Sequence, residues 1–578
     1  MYEYDIFLCD SLEKVFPVKR PRSMGQNKII PVFEGTIPAV QLVYKRHPGD
    51  KPAFFATPIE ITIKGAPVEA VLSTVELVPA DYPCHEKTDS AYLTTEPGLF
   101  PDLLLPLETN TVKPMTGQYR SVWIEFPGIK ASQTGIYNIT LIARTLSEVF
   151  TPNGLKRTDP EADFCKELHF SLDVRPQILP VQSLLHTQWF HTDCLASFYK
   201  AEVFSEEHWK IIEAFIEPMM SRYGINTLLT PIFTPPLDTE PGGERPTVQL
   251  VDIEKDGSIF TFDFKKLIRW CGICKKHGIT HLEIPHFFTQ WGAAFTPKII
   301  AHDKAGGKQS RIFGWDVKAD DPAYSSFLKQ LIPSLRKVLE ENGYDHNHVI
   351  FHISDEPGIN QIDNYRKAKE IITALTEGSL IIDALSNIEF YKQGILEHPV
   401  TAVNHIIPFL EAGVPDLWVY YCTSQCYKVP NRFFAMSSAR TRAMGILMYY
   451  FNIKGFLHWA YNFYYSQNSR KLINPFAETS GIRAWPAGDP FLVYPGEDGK
   501  PLSSIRGEVH RESLEDYRLL CLVEEKLGRE STMALIREDF SETSEFSCPL
   551  NFENYPVEPH YYYRLREKVA KVLSGNNY

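Results

Sequence analysis

In the first third of the chain, apolar and polar positions alternate with a period of two. The segment at residues 168–174, LHFSLDV, places four apolar residues on one face and three polar residues on the other. Residues 137–141, YNITL, repeat the pattern, and proline and glycine interrupt the short apolar runs elsewhere. Since this period is that of a half-buried strand, it predicts an all-β domain, a β-sandwich, over residues 1–178.

From about residue 179, apolar runs alternate with segments of helical spacing. Apolar positions three or four apart predict helices at 209–223, 264–277 and 324–341. Eight apolar runs predict strands at residues 183–190, 225–229, 280–285, 348–353, 380–384, 400–404, 417–421 and 455–459. This repetition is typical of an α/β fold and predicts a TIM-like (β/α)8 barrel over residues 179–512. Helical spacing further on predicts a C-terminal helical extension, residues 513–578, packed on the barrel.

The residues that end the predicted strands are the candidates for chemistry, because active sites of such barrels lie at the carboxyl ends of the strands. The candidates for substrate contact at these ends are Trp189, His286, His405, Tyr420, Trp459 and Asn462. The segment 287–322 is long for a loop, and we expect it to cover this end of the barrel.

Composition and charge narrow the range of partners. The chain has 59 basic and 71 acidic residues, a formal net charge of −12, which disfavours nucleic acid and anionic membranes as partners. No apolar run is long enough to span a membrane, and the N-terminal residues lack the pattern of a signal peptide, so a cytoplasmic location is expected. Without a recognisable metal-ligand cluster or phosphate loop, neither a metal nor another cofactor is expected. Homo-oligomerisation is left open.

Asp355 and Glu356, which follow the fourth predicted strand, are the strongest chemical signal. Cleavage of a glycosidic bond needs an acid near the leaving oxygen and a second group that stabilises or traps the developing positive carbon. Neighbours on an extended strand point in opposite directions, so they do not easily flank one bond as acid and nucleophile. They can act together if one protonates the leaving oxygen and the other orients a 2-acetamido group of the substrate, whose carbonyl oxygen is the nucleophile. The alternative is that the acidic pair only begins a helix.

Several ordered segments resemble the catalytic domain of glycoside hydrolase family 123. HVIFHISDEP at 348–357 is similar to the family's H-x-x-D-E-P segment, and LWVYYCTSQCYKVPNRFF at 417–434 to its aromatic strand with a following Pro-Asn. GFLHWAYNFYY at 455–465, GDPFLVYP at 488–495 and SIRGEVHRESLEDY at 504–517 resemble further blocks. The resemblance therefore covers about residues 180–530.

The resemblance implies an exo-acting β-N-acetylgalactosaminidase that retains configuration by substrate assistance and acts on an oligosaccharide or glycoconjugate. Glu356 would be the acid/base, and Asp355 would stabilise the acetamido group. Asp489 lies in a matching Gly-Asp block and would bind sugar hydroxyls. The chain departs from the pattern at Pro490, where glycine is expected.

Other roles follow from side-chain chemistry. The phenol of Tyr420 is suited to steady the acetamido oxygen, and Trp459 to stack against the sugar. His352, further back on the strand, is better placed to orient the acidic pair than to carry a proton. Two alternatives stay open: a glycosidase for a sugar without an acetamido group, which needs a further inward carboxylate such as Asp383 or Asp489, and a catalytically inactive carbohydrate-binding barrel.

Overall fold

The first part of the chain consists of strands in the computed structural model, which describes residues 4–48, 57–146, 148–151, 154–157, 164–543 and 549–575. In chain order these strands are β1 Tyr4–Asp10, β2 Lys28–Glu34, β3 Ala39–Arg46, β4 Ile59–Lys64, β5 Val71–Ala80, β6 Gly98–Pro106, β7 Thr111–Val112, β8 Arg120–Glu125, β9 Gly135–Thr145, β10 Glu148–Thr151, β11 Gly154–Arg157 and β12 Cys165–Ile178.

Most of these strands form two five-stranded sheets that face each other. One sheet has the order β1-β3-β8-β5-β6 and the other β2-β12-β9-β4-β7, while β10 pairs with β11. In β12, Leu168, Phe170, Leu172 and Val174 are buried and their neighbours are less so, as the period of two predicts. Residues of both sheets share one apolar core, so the predicted β-sandwich is confirmed.

The later strands include those of a closed parallel barrel. They are β13 Leu185–Gln188, β14 Thr227–Leu229, β15 Asp252–Asp256, β16 Ile259–Asp263, β17 His281–Glu283, β18 Ile299–Asp303, β19 Lys308–Phe313, β20 Val349–Phe351, β21 Leu380–Ala384, β22 His398–Ala402, β23 Trp418–Tyr420, β24 Gly455–His458, β25 Tyr494–Pro495 and β26 Pro501–Leu502. Within the continuously described stretch 164–543, the barrel order is β13-β14-β17-β20-β21-β22-β23-β24.

Each barrel strand overlaps one of the predicted strands, so the α/β barrel preceded by an all-β domain is confirmed. The observed strands are short and almost entirely buried. Strands that are covered on both faces have near-continuous apolar sequences, which is why these runs were recognisable without alternation.

At least one helix follows every barrel strand along the chain. The helices are α1 Thr192–Tyr199, α2 Glu206–Ser221, α3 Lys265–Lys276, α4 Pro322–Glu341, α5 Ile362–Thr373, α6 Glu389–Lys392, α7 Ile407–Glu411, α8 Ser438–Tyr450, α9 Ile505–Leu527, α10 Arg529–Thr543 and α11 Pro559–Leu573. The three helices predicted from apolar spacing correspond to α2, α3 and α4. In the described part of the chain, no helix has the length and apolar character needed to cross a bilayer.

Two loops that leave the carboxyl ends of barrel strands build a small sheet. β15 and β16 follow β14, and β18 and β19 follow β17, and together they form a sheet of order β16-β15-β18-β19. The segment 287–322, expected as a loop, therefore contains a β-hairpin that pairs with the preceding insertion.

The expected domain boundary between residues 512 and 513 falls inside helix α9, which begins at residue 505. The first turns of this helix, IRGEVHRE at 505–512, are buried although they carry four charged side chains. Apolar spacing could not reveal these turns, because their burial depends on ion pairs with other parts of the fold rather than on an apolar stripe.

Helices α8 and α9 cross at unusually close range. A Cβ atom on Gly445 would lie 1.8 Å from the carbonyl oxygen of Ser513, so glycine is required here. Arg442 of α8 forms buried ion pairs with Glu512 and Asp516 of α9, each at 2.7 Å. These contacts hold α9 against α8 of the barrel.

Candidate active site

Asp355 and Glu356 lie just beyond the carboxyl end of β20, where the strand ends of the barrel meet. Asp355 is partly buried, and the side chain of Glu356 is open to solvent. The backbone φ of Glu356 is +43°, a left-handed value that is uncommon for a residue with a side chain. Its N–H donates to the carbonyl oxygen of Ala384 at 3.1 Å. Since β20 ends at Phe351, Asp355 and Glu356 are not part of the strand. The rule that neighbouring side chains of a strand point in opposite directions therefore does not apply to them.

The two carboxyl groups of the pair interact electrostatically. Burial raises the pKa of Asp355 well above its usual value, and the charge of Glu356 adds to this effect. Partial desolvation also raises the pKa of Glu356, although a 2.8 Å hydrogen bond donated by the Tyr420 hydroxyl to Oε1 acts in the opposite direction. Two close carboxyl groups do not both ionise easily, so the pair retains a proton to higher pH than isolated carboxyl groups.

Behind the pair, His352 lies between two buried carboxylates. Its Nε2 is 2.6 Å from Oε1 of Glu283, and its Nδ1 is 3.1 Å from Oδ1 of Asp383. Burial alone lowers the pKa of a histidine, but the hydrogen bonds and charges of Asp383 and Glu283 raise the pKa of His352 to about 10. His352 is therefore an imidazolium at neutral pH that donates through both nitrogens, which fits an orienting role.

Asp383 connects this imidazolium to the backbone that carries the acidic pair. Its carboxylate accepts hydrogen bonds from the N–H groups of Ile353 at 3.0 Å and Ser354 at 3.4 Å, and from the hydroxyl of Tyr365 at 2.6 Å. These three bonds all go to Oδ2, while Nδ1 of His352 and the N–H of Ile353 each lie 3.1 Å from Oδ1, so both oxygens of this fully buried side chain are engaged. Asp383 therefore positions the pair and cannot also serve as the further inward carboxylate that the sequence suggested.

The stability of the protein should depend on the charge of His352 in a defined pH range. Its pKa is raised from an ordinary value of 6.5 to about 10 in the folded state, so its stabilising contribution is complete below pH 6.5 and is lost as the pH rises through 10. We expect His352→Gln to lower the free energy of unfolding by about 3–5 kcal/mol near pH 6 and by less towards pH 10. Denaturant unfolding of both proteins at pH 6, 8 and 10 measures this difference. A difference independent of pH would contradict the imidazolium.

His286 stands beside this network and completes a group that could hold a metal ion together with His352 and Asp383. Its Nε2 is 3.5 Å from Oδ1 of Asp383, and neither ring nitrogen has a hydrogen-bond partner in the described part of the chain. Burial and the charge of His352 hold the pKa of His286 well below its usual value. A metal would need a lone pair on His352, which its two carboxylate partners keep protonated. The group therefore fits a charge network better than a metal site.

Trp189 and Trp459 follow the neighbouring strands β13 and β24, and each donates its indole N–H to a carboxylate. Trp189 is buried and donates to Oε1 of Glu283 at 2.7 Å. Trp459 is half-buried and donates to Oδ2 of Asp489 at 3.0 Å. Trp189 is thus part of the wall behind the pair, whereas Trp459 keeps the accessible surface that sugar stacking requires.

Asp489 has one carboxylate oxygen engaged and one without a partner. Among the described residues, its Oδ1 accepts no hydrogen bond, and Nε2 of His458 lies 3.6 Å from it. Burial raises the pKa of Asp489 to about 7. A buried acceptor without a donor is costly, and a sugar hydroxyl is a donor that would satisfy it.

The β-sandwich helps to hold the loop that carries Asp489. Arg506, at the start of α9, donates to the carbonyl oxygens of Gly488 at 2.6 Å and Phe491 at 2.7 Å. The same guanidinium forms a two-pronged, fully buried ion pair with Asp102 of β6, with both distances 2.9 Å. A sandwich residue therefore supports the barrel loop next to the site.

Two predicted contact residues take other places in the structure. Asn462 is buried and exchanges hydrogen bonds with the backbone of His191, accepting from its N–H at 2.9 Å and donating to its carbonyl oxygen at 3.1 Å. This pair of bonds joins the ends of the first and last barrel strands. His405 is exposed in a short turn after β22.

Three residues near the pair were not predicted: Glu283, Asp238 and Trp291. Glu283 had a signal, because a carboxylate in the apolar run HLEIPHFF needs partners when it is buried. Asp238 lies in the loop after β14, where burial raises its pKa to about 6, and its charge contributes to the raised pKa of Asp355. Trp291 donates its backbone N–H to the carbonyl oxygen of Asp355 at 2.9 Å. The two loop residues carry no periodic signal, since only the fold places their loops here.

A comparison with protein families matches residues 189–523, more than half of the chain, to the model described as the glycoside hydrolase 123 catalytic domain. No curated protein sequence matches the chain. The structure is similar to that of a family 123 glycoside hydrolase from Clostridium perfringens, solved in a study of glycolipid glycan hydrolysis. The two share 16% identity with a TM-score of 0.70, over 100% of this chain and 98% of that one. At this identity the likeness shows the fold alone.

Two other structural similarities are much weaker. A family 2 β-galacturonidase from Eisenbergiella tayi has 11% identity and a TM-score of 0.29, over 88% of this chain and 72% of that one. A family 10 xylanase with a bacterial Ig-like domain, from termite gut, has 11% identity and a TM-score of 0.30, over 85% and 99%. These scores are too low to carry any conclusion about this chain.

Proposed function

This chain belongs to the glycoside hydrolase 123 family, and we propose that it removes terminal β-linked N-acetylgalactosamine from an oligosaccharide or glycoconjugate with retention of configuration. The substrate's own 2-acetamido group would be the nucleophile. The observation that carries this proposal is the adjacent, electrostatically coupled pair Asp355 and Glu356 at the strand ends. The nearby carboxylates of Glu283 and Asp383 are both engaged by His352 and other donors.

The proposed reaction has two steps. In the first, Glu356 donates its proton to the leaving oxygen while the acetamido carbonyl oxygen forms a bond to the anomeric carbon, and the bond to the aglycone breaks. Asp355 accepts the acetamido N–H and stabilises the positive charge of the oxazolinium ring. In the second, water attacks the anomeric carbon, Glu356 takes up its proton, and the ring opens. Two inversions restore the β configuration.

The proton of the pair must be on Glu356 when the leaving group departs. Desolvation raises the pKa of both carboxyl groups, but only Glu356 has the Tyr420 hydroxyl that favours its ionised form, so without substrate the shared proton is favoured on Asp355. An acetamido N–H donated to Asp355 favours its ionised form. Binding of an acetamido sugar would therefore move the proton to the residue that faces the leaving oxygen, which supports substrate assistance.

The accessible surface of Trp459 and the unpaired oxygen of Asp489 are suited to hold the sugar itself. A pyranose presents an apolar face for an indole and hydroxyl groups for a carboxylate. Of the seven residues predicted to contact substrate, these two, with Tyr420, carry the proposed sugar pocket. Trp189 and His286 would support it from behind.

Hydrolysis of aryl β-N-acetylgalactosaminide and of the matching aryl β-galactoside tests the proposed function. The two substrates differ only at the 2-position, so a substrate-assisted enzyme cleaves the first and leaves the second intact. Proton NMR of the first product formed should show the β-anomer. Equal cleavage of both sugars, or an α-anomer as first product, would overturn the proposal.

The pH dependence of kcat/KM should be bell-shaped, and Tyr420→Phe should move its alkaline limb to higher pH. The active pair holds one proton, so activity falls at low pH when a second proton binds and at high pH when the last is lost. Tyr420 stabilises the ionised form of Glu356, so removing its hydroxyl raises the pKa of Glu356. Rate profiles of both proteins on the aryl substrate measure the shift. An unmoved alkaline limb would contradict the assignment of that limb to Glu356.

A further inference from the structure

Trp291 is the most exposed tryptophan of the protein, and it sits in a strained loop next to the acidic pair. All nine tryptophans lie in the described residues, and Trp291 has 46% of its surface exposed, whereas the other eight are buried or half-buried. Three consecutive residues are left-handed: Trp291 with φ +60°, Gly292 with φ +112° and Ala293 with φ +53°. A positive φ is rare for a bulky side chain, because its Cβ atom then crowds the backbone.

The loop is bonded directly to the backbone that carries the pair. Trp291 donates its N–H to the carbonyl oxygen of Asp355 at 2.9 Å, and Ala293 donates its N–H to the hydroxyl oxygen of Ser354 at 3.1 Å. Gln361, beyond the pair in the chain, donates its side-chain amide to the carbonyl oxygen of Trp291 at 2.5 Å. These bonds hold the left-handed backbone of the loop beside the pair, and nearly half of the surface of Trp291 stays exposed.

An exposed indole beside the proposed catalytic acid fits a carbohydrate ring. Strained backbone is concentrated at ligand-binding and active sites, and this strained loop presents an exposed indole beside the acidic pair, an arrangement suited to a ligand that covers the ring. The flat face of an indole suits the apolar face of a pyranose.

We propose that Trp291 forms the subsite for the sugar residue on the leaving-group side of the scissile bond. This inference rests on the proposed function, in which the terminal sugar binds at the strand ends of the barrel and the rest of the glycan extends towards solvent. In this reaction Glu356 must face the glycosidic oxygen. The backbone of Trp291 is hydrogen-bonded to Asp355, the residue next to Glu356, and the side chain of Trp291 is exposed to solvent. The ligand class is therefore a pyranose linked through the bond that is cleaved.

Two substrates with unactivated leaving groups test this subsite. A β-N-acetylgalactosaminyl disaccharide places a pyranose over Trp291, whereas methyl β-N-acetylgalactosaminide places nothing there. For Trp291→Ala, we expect kcat/KM for the disaccharide to fall about tenfold while that for the methyl glycoside is unchanged, because one stacked ring contributes up to about 1.5 kcal/mol. Trp291→Tyr should restore much of the loss.

The matched control is Trp315→Ala. Trp315 belongs to the same inserted region but packs on Phe295, with ring centroids 6.2 Å apart. The Trp315→Ala substitution should leave the preference for the disaccharide over the methyl glycoside unchanged. Alanine tolerates the left-handed backbone no worse than tryptophan, so Trp291→Ala should fold, and its thermal unfolding checks this.

The possible outcomes separate the two proposals. If the wild-type protein cleaves both substrates and Trp291→Ala changes both rates equally or neither, the subsite is wrong and the proposed function stands. If the wild-type protein cleaves neither substrate, the proposed function itself fails. A loss confined to the disaccharide supports both.

Discussion

Glu356→Gln should lower kcat/KM for a disaccharide substrate about 100- to 10,000-fold, the range that a general acid contributes. Glutamine has the shape of glutamate and can still accept the hydrogen bond of Tyr420, but it has no proton to give to the leaving oxygen. The solvent-open position of Glu356 means that the change should not lower stability, so the loss reports chemistry.

The leaving group gives the sharpest control for this variant. An aryl substrate with an acidic phenol needs little protonation, so the loss should be much smaller with it than with a disaccharide or methyl glycoside. The alkaline limb of the pH profile should also disappear. An equal loss with every leaving group would mean that Glu356 is not the acid.

Asp355→Asn should lower kcat on β-N-acetylgalactosaminides about 100- to 1,000-fold, the usual effect of removing a group that stabilises charge in the transition state. An asparagine cannot balance the positive charge of the oxazolinium ring. Because Asp355 does not protonate the aglycone, the loss should be similar for disaccharide and aryl substrates, unlike that of Glu356→Gln. Steady-state rates with both substrates measure the contrast.

Asp238→Asn is the matched control for Asp355→Asn. Asp238 is another carboxylate close enough to raise the pKa of Asp355, but the proposed reaction gives it no bond to make. We expect a much smaller loss of kcat for Asp238→Asn. A loss as large as that of Asp355→Asn, with cleavage of β-galactosides, would favour a reaction in which Asp238 is the nucleophile and the substrate needs no acetamido group.

The main features of the fold could be predicted from local sequence patterns. The alternation in β12 and the eight buried runs of the barrel follow from burial on one face or on both, which is a property of short segments. The start of α9, which apolar spacing does not predict, shows the limit of this approach. Its first turns are buried through the ion pairs of Arg506 with Asp102 and of Glu508 with Arg222. Those partners lie hundreds of residues away in the chain.

The candidate site was predicted only in part. The sequence indicated the acidic pair, Tyr420, Trp459 and Asp489, because they lie in strand ends or in ordered motifs. The sequence offers Asp383 as a further inward carboxylate, yet its oxygens are occupied by His352, by backbone N–H groups and by the Tyr365 hydroxyl. A count of acidic residues at strand ends cannot show which of them already have partners.

By itself, the sequence determined the α/β barrel behind a β-sandwich, and it singled out Asp355 and Glu356 as the centre of the chemistry. Periodicity and short ordered motifs are properties of short segments, so they can be recognised without knowledge of the fold. Only the tertiary structure decided which carboxylates are free to meet a substrate, that His352 is charged, and that Trp291 stands at the rim. Charge states, free lone pairs and exposed rings depend on distances between residues far apart in the chain, and those distances exist only after folding.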